Sequence, residues 1–278
     1  MERLPLGVAR IDSILRGGAP PGSTLLAAGE SGAGGREFAQ TAAAMNALYD
    51  ADPDLFDLYY GDLPAESAVP PEVHYVSFTA DSDELAREME HTMDDDIVEA
   101  ATEEIRFRDL SPEYFQLSPI PREWYMGEAQ TIEDLGKAEA TDDVLGALGD
   151  YLNEHAAGNL VVIDSISDLI GAMGDDMEWS DITTLIRGLT KASHTWDGLI
   201  IMIVNRDAIT GTEFGQLMDA AEGTFEFTWE SGGSQRARTM VVRQFRGVLS
   251  QLEAENIVRF ETEIHEGGFD VSDVRKIR

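Results

Sequence analysis

The sequence predicts an α/β fold: a mostly parallel central sheet flanked by helices, with antiparallel strands closing it at the C-terminal end. Three observations predict this. Short continuous apolar runs at residues 24–28, 160–163 and 199–204 alternate with segments of helical spacing, as strands buried on both faces do. The first run leads through a glycine-rich loop, residues 29–35, into an alanine-rich helical stretch at 38–48. From Thr224 onward the texture changes to alternating segments joined by Gly-Gly turns, the pattern of antiparallel strands.

In chain order, Ile11, Ile14 and Leu15 have helical spacing, and the Gly/Pro cluster at 17–22 ends that helix before the first strand. Residues 50–72 break the pattern: acidic, with Pro and Gly and no clear period. They read as a surface insertion anchored by Tyr59 and Tyr60. Residues 73–78 (VHYVSF) are the second strand, and 82–93 a helix with Ser82 as its N-cap. A shorter third strand is expected at 105–110. Residues 111–136, with three prolines and Tyr114, Phe115, Trp124 and Tyr125, read as a second surface insertion. Helices follow at 142–155 and 180–194, and antiparallel strands at 224–229, 238–244 and 256–263. Residues 1–278 are expected to form a single domain, a length that can bury a sizeable core.

Composition excludes more than it identifies. A 43% hydrophobic fraction is ordinary, but a formal net charge of −33 and a pI near 4.2 are not. Such charge repels nucleic-acid phosphates and anionic membrane surfaces, so direct binding to either is not expected. Lys137, Lys191 and Lys276 are the only lysines. Dense carboxylates with few lysines suit a surface hydrated in concentrated salt, which points to a halophilic cytoplasm; an acidic mesophilic protein is the alternative. Without cysteine there are no disulfides or thiolate metal sites. The N-terminal residues lack an apolar signal core, and no run approaches the ~18 apolar residues of a spanning helix. A soluble, cytoplasmic protein is expected. The five histidines are scattered without ligand spacing, so no metal site is expected.

The chemistry-bearing stretch is residues 22–37, GSTLLAAGESGAGGRE. It has the layout of the phosphate-binding pattern G-x-x-x-x-G-K-[ST], in which backbone N–H groups and a lysine hold phosphates and a hydroxyl holds Mg²⁺. Laid on Gly29 and Gly34, the chain offers Gly35 for the lysine and Arg36 for the hydroxyl residue. A second register makes Arg36 the cation and Glu37 the hydroxyl equivalent, which places a carboxylate against the phosphates. Gly29, Gly32 and Gly34 retain the means to present N–H groups at a helix N-terminus, which attracts anions unaided. The alternative is that the tight turn alone needs them.

Four segments in order resemble the RecA superfamily of P-loop ATPases, and within it the KaiC-like archaeal branch. Gly7, Ile11, Asp12, Ile14, Leu15, Gly17 and Gly18 match its G-x-x-x-[LI]-D-x-[IL]-L-x-G-G pattern ahead of the P-loop. LVVIDS at 160–165 is similar to its Walker B strand, AAEGTFEF at 220–227 to the segment before the last hairpin, and VVRQFRGV at 241–248 to a late strand ending in K-x-R-G. The lysine-poor composition suits a haloarchaeal member.

The resemblance makes Asp164 the Mg²⁺-organising carboxylate; the plainer reading is a strand-end aspartate held by hydrogen bonds. It also implies a catalytic glutamate just past the second strand, where Thr79 and Ala80 stand and Asp81 follows. The K-x-R-G lysine, which in oligomeric relatives points across a subunit boundary, is Gln244. These joint losses imply a degenerate site, a regulatory or scaffolding protein in place of an ATPase, and no required cofactor, with weak ATP or Mg²⁺ binding left open. Self-association, or pairing with an active KaiC-like relative or an unidentified protein through residues 50–72 and 111–136, is the expected partnership. The alternatives are a slow ATPase using Arg36 and Asp81, or a recombination or repair accessory. In the first register Arg36 faces the end of the Walker B strand, so its guanidinium is expected to pair bidentately with Asp164 in place of Mg²⁺. Of the arginine cluster Arg236, Arg238, Arg243 and Arg246, pairing with carboxylates is expected before nucleic-acid contact.

Overall fold

A computed structural model describes residues 2–116, 118–125, 144–171, 178–232, 235–248 and 259–274. Parts of three expectations lie outside these residues: the second insertion over 126–136, the start of the helix at 142, and the start of the last expected strand at 256.

One sheet of nine strands organises the described chain, in the order β3-β2-β4-β5-β1-β6-β7-β8-β9. Strands β1 (Ser23–Gly29), β2 (Val73–Ser77), β3 (Arg106–Asp109), β4 (Leu160–Asp164), β5 (Leu199–Asn205) and β6 (Gly223–Gly232) are mutually parallel. Strands β7 (Gln235–Phe245), β8 (Arg259–His265) and β9 (Gly268–Val274) continue the sheet antiparallel from β6. Every residue of β1, β2 and β4 is buried, which explains why β1 and β4 read as apolar runs.

Each face carries its own core. On one, Leu25, Ala27, Tyr75, Ile201, Phe225 and Phe227 meet helix α2 (Gly35–Ala51). The alanines of α2, with Ala39, Ala42, Ala43 and Ala47 buried, let it lie close to the sheet. Helices α1 (Ala9–Ile14), α3 (Pro53–Tyr59), α4 (Ser82–Glu90) and α5 (Asp95–Glu104) complete this side. On the other face, Leu26, Ala28, Val76, Ile163, Ile200 and Met202 meet α7 (Val144–His155), α8 (Ile166–Gly171), α9 (Trp179–Trp196) and α10 (Gly211–Ala220). A short α6 (Ser111–Phe115) precedes α7.

Three expectations need correction. Residues 50–72 are not patternless: Asp52 caps α3 by accepting from the N–H groups of Asp54 and Leu55, with Pro53 at the first helical position. Phe56 and Tyr60 are buried there, stacked at 4.7 Å. The N-cap of α4 is Asp81, not Ser82; its carboxylate accepts from Glu84 N–H at 2.8 Å while the Glu84 carboxylate accepts from Asp81 N–H, a reciprocal capping box. Finally, α5, α8, α10 and β9 had no counterpart in the expected elements. Within the second expected insertion, Tyr114 donates to the Asp168 carbonyl at 3.0 Å, while Trp124 is 78% exposed.

Asp12, from the pattern ahead of the P-loop, is fully buried and accepts from Leu6 N–H at 2.7 Å and the Tyr60 hydroxyl at 3.0 Å. Burial pushes its carboxyl up to about 7, against the pull of these hydrogen bonds. Between about pH 4 and pH 7 the native state therefore holds a proton that the unfolded chain has lost, and stability falls as pH rises, by up to ~1.4 kcal/mol per pH unit. Asp12→Asn keeps the acceptor for Leu6 and is expected to flatten that slope, read by urea denaturation across this pH range.

Candidate functional site

The site lies where β1 ends and α2 begins, beside the C-terminal ends of β4 and β5. Gly29 closes β1, Gly34 is the N-cap of α2, and Gly35 and Arg36 are its first two residues. Gly34 has φ of +111°, and a Cβ there would lie 3.1 Å from the Phe269 ring, so any other residue is both strained and crowded. The loop frames a cleft of about 260 Å³, which Ser165, Ile203, Val204 and Asn205 close from the neighbouring strand ends. Of the expected site residues, Gly29, Gly32, Gly34, Gly35 and Arg36 line this cleft, and Asp164 stands behind it, 2% exposed.

Arg36 decides the electrostatics. Its Nη2 lies 2.9 Å from Asp164 Oδ1 and its Nη1 donates to Glu88 Oε2 at 3.2 Å. The expected pairing is present, but it is not bidentate: the guanidinium is shared between β4 and α4. Asp164 Oδ2 accepts from the buried Tyr75 hydroxyl at 2.8 Å. Oδ1 receives no aligned hydrogen bond, so the Arg36 contact is electrostatic. Burial pushes the Asp164 carboxyl up to about 6, with Arg36 and the Tyr75 hydroxyl holding it from going further. The direction in which Arg36 reaches, to the end of β4 and not over the loop, matches the first register.

These residues do not fit Mg²⁺. The ion takes near-octahedral oxygen ligands; the position next to Asp164 Oδ1 is taken by a guanidinium nitrogen, and no hydroxyl follows Gly35. Among the described residues no cluster of three or more metal-ligating side chains occurs.

The phosphate cradle is only half kept. Gly32 and Gly34 N–H groups have no protein acceptor among the described residues, and the N-terminus of α2 points its dipole into the cleft. Against this, Ser31 N–H donates to Asp207 Oδ2 at 3.0 Å, placing a carboxylate on the loop. The loop carbonyls are engaged as well: Trp229 Nε1 donates to Ser31 O at 3.1 Å and Arg238 Nε to Gly32 O at 3.0 Å. The Arg238 guanidinium lies over the Trp229 ring at 4.7 Å.

The substitute groups are committed elsewhere. The Asp81 carboxylate caps α4, and Ser77 Oγ accepts from Thr79 and Ala80 N–H in the turn after β2. Gln244 Nε2 donates to the carbonyls of Met218 and Ala221, within its own chain. Arg243 pairs with the buried Glu226, as expected of a basic residue in so acidic a protein, whereas Arg238 serves the loop and Arg246 donates to the Asp219 carbonyl. The Arg236 side chain lies outside the described residues.

Sequence reasoning missed Glu88, Tyr75, Asp207 and Trp229. Tyr75 had a signal, an inward position in an alternating strand next to the Walker B strand. Nothing local separates Glu88 from the other acids of SDELAREME.

No protein-family model matches the sequence, and no curated protein matches it. Solved structures do. A KaiC-like protein of the hyperthermophilic archaeon Pyrococcus horikoshii OT3 superposes with a TM-score of 0.63 at 16% identity, covering 98% of this chain and 99% of the other. The flagellar accessory protein FlaH of Methanocaldococcus jannaschii gives a TM-score of 0.55 at 14% identity, covering 95% and 96%. At such identities the likeness concerns architecture alone, and with the parallel sheet, the glycine loop and the antiparallel extension it gives this chain a RecA-like P-loop fold of the kind seen in KaiC-like proteins and FlaH.

Proposed function

We propose that this chain is a catalytically degenerate RecA/KaiC-like P-loop domain, working as a regulatory or scaffolding protein in a halophilic cytoplasm with weak or no nucleotide binding. The observation that carries the reading is Arg36, seated between Asp164 and Glu88. It supplies from within the chain the positive charge that a working site takes from a metal ion, and it makes α2, β4 and α4 one electrostatic unit without ligand. A fixed guanidinium cannot leave with product, so the unit suits a constant shape better than a cycle. The partner in this reading is a second copy or an active KaiC-like relative.

The test is ATP titration and phosphate release in molar KCl. The wild type is expected to show no turnover and a Kd weaker than about 1 mM. Gly35→Lys/Arg36→Thr rebuilds the pattern; a Cβ at Gly35 would stand 3.3 Å from the Phe227 ring and at ordinary contact, 3.6 Å, from Ala27 O and Gly29 Cα, and the backbone there is not left-handed. This variant is expected to bind Mg·ATP at least about tenfold tighter. Wild-type turnover abolished by Asp164→Asn would sink the reading in favour of a slow ATPase.

A further inference from the structure

A cleft of about 510 Å³ lies at the opposite end of the sheet from the glycine loop. Its residues precede strands instead of following them: Pro71 comes before β2, Gly158 before β4 and Asp197 before β5. The P-loop chemistry therefore does not account for it.

One wall is apolar, formed by Leu4, Val69 and Pro71. Arg3 is the one cation among the residues lining this cleft. Its backbone is fixed on both sides, N–H to Glu66 O at 2.8 Å and carbonyl to Ala68 N–H at 2.7 Å, so the side chain is anchored at its base. Its Nη1 is buried and has no hydrogen-bond partner. Glu66 attracts it from beyond ion-pair distance, and burial lowers its proton affinity below that of an ordinary arginine. A bidentate carboxylate is the acceptor that a guanidinium fork matches best. The same cleft carries two exposed carboxylates, Glu2 and Asp197. A simple anion gains from Arg3 and loses to both acids. A ligand with a carboxylate at one end, an ammonium group beside it and an aliphatic arm satisfies all three walls, and a volume of this size lies within the ~300–1,000 Å³ of small-molecule sites.

We propose that this cleft is a binding site for an aliphatic α-amino acid, with Arg3 taking its carboxylate, Glu2 and Asp197 its ammonium group, and Leu4, Val69 and Pro71 its side chain. The site is independent of the reading of the glycine loop. It gives a regulatory protein a small-molecule input on the face away from the loop.

Calorimetric titration of the full chain with L-leucine in molar KCl tests it, with isovalerate and isoamylamine as probes that each keep one charged end. L-Leucine is expected to bind with a Kd of about 1 mM or tighter, and each one-ended probe at least about tenfold more weakly. Arg3→Met and Glu2→Gln/Asp197→Asn are each expected to weaken leucine at least about tenfold. Asp197 has φ of +54°, which Asn tolerates, so the second variant keeps its fold if loss of Arg3 does not. No binding of leucine up to about 10 mM, equal affinity for isovalerate, or affinity unchanged in the acid-neutralised variant would each overturn the assignment.

Discussion

Arg36→Met is expected to lower the unfolding free energy by about 2 kcal/mol at pH 8 and by clearly less at pH 6. The cause is the carboxylate left behind. Asp164 is 2% exposed and, with Arg36 removed, keeps only the Tyr75 hydroxyl as a partner. Breaking a buried pair by deleting one member costs about 3–5 kcal/mol. Here two effects reduce it. The guanidinium side chain is 42% exposed, so solvent and salt already screen part of the attraction. The carboxyl can also take up a proton, which limits the penalty to ~1.4 kcal/mol for each pH unit above its pKa.

The sign of the pH effect follows from burial. Asp164 is pushed up to about 6 in the native state, so the native protein already loses stability as pH rises through the interval from about 4 to 6. Without Arg36 the carboxyl rises further, the interval extends upward, and the deficit opens above pH 6. Arg36→Met/Asp164→Asn buries no charge and is expected within about 1 kcal/mol of the wild type, with no added pH slope. Urea denaturation at both pH values in constant KCl reads all of this. Equal loss at pH 6 and pH 8 with no rescue by Asn would mean that the arginine stem, not its charge, supports the site.

Arg36 and Asp164 were legible in the sequence because each sits at a position that local rules define. Glycines mark the turn, an apolar run marks the strand, and one aspartate ends it. Pairing across the sheet then follows from strand order. Glu88 and Asp207 reach the same few ångströms from a helix and a turn remote in the chain, and only tertiary packing brings them there. The mistaken cap at Ser82 was avoidable: Glu84 lies three residues after Asp81, the spacing of a capping box, whereas Ser82 has no such partner. Helix α3 hid behind its composition, since Pro53 and three acids look like loop until Asp52 is seen as the cap. The strand β9 alternates Phe269 with Val271, both buried, but its length is that of a tail. Its packing against α2, in the core on that side of the sheet, is what gives it meaning.

Phe269→Ala is expected to cost about 3–4 kcal/mol and to loosen the loop ahead of α2. The hairpin of β8 and β9 curls back onto the helix that carries Arg36. Phe269 is 2% exposed and meets Phe38 edge-on at 5.6 Å and Phe227 edge-on at 5.6 Å. Its N–H donates to Thr41 Oγ1 at 2.8 Å. Gly268 before it has φ of +91°, and a Cβ there would stand 2.4 Å from that same Thr41 oxygen, so the hairpin turn is fitted to the helix surface. Removing the ring opens a cavity bordered by Gly34, whose left-handed conformation is held against it. The amides of Ala33 and Phe38, bonded to Glu30 O and Gly34 O, are expected to lose hydrogen-exchange protection beyond the global loss of stability. Leu58→Ala, at a side chain 71% exposed on α3, is the control and is expected within about 0.5 kcal/mol of the wild type. If Phe269→Ala costs less than about 1 kcal/mol with both amides still protected, the hairpin does not brace the loop. If the two losses appear together, the antiparallel extension is what keeps the glycine turn in one shape.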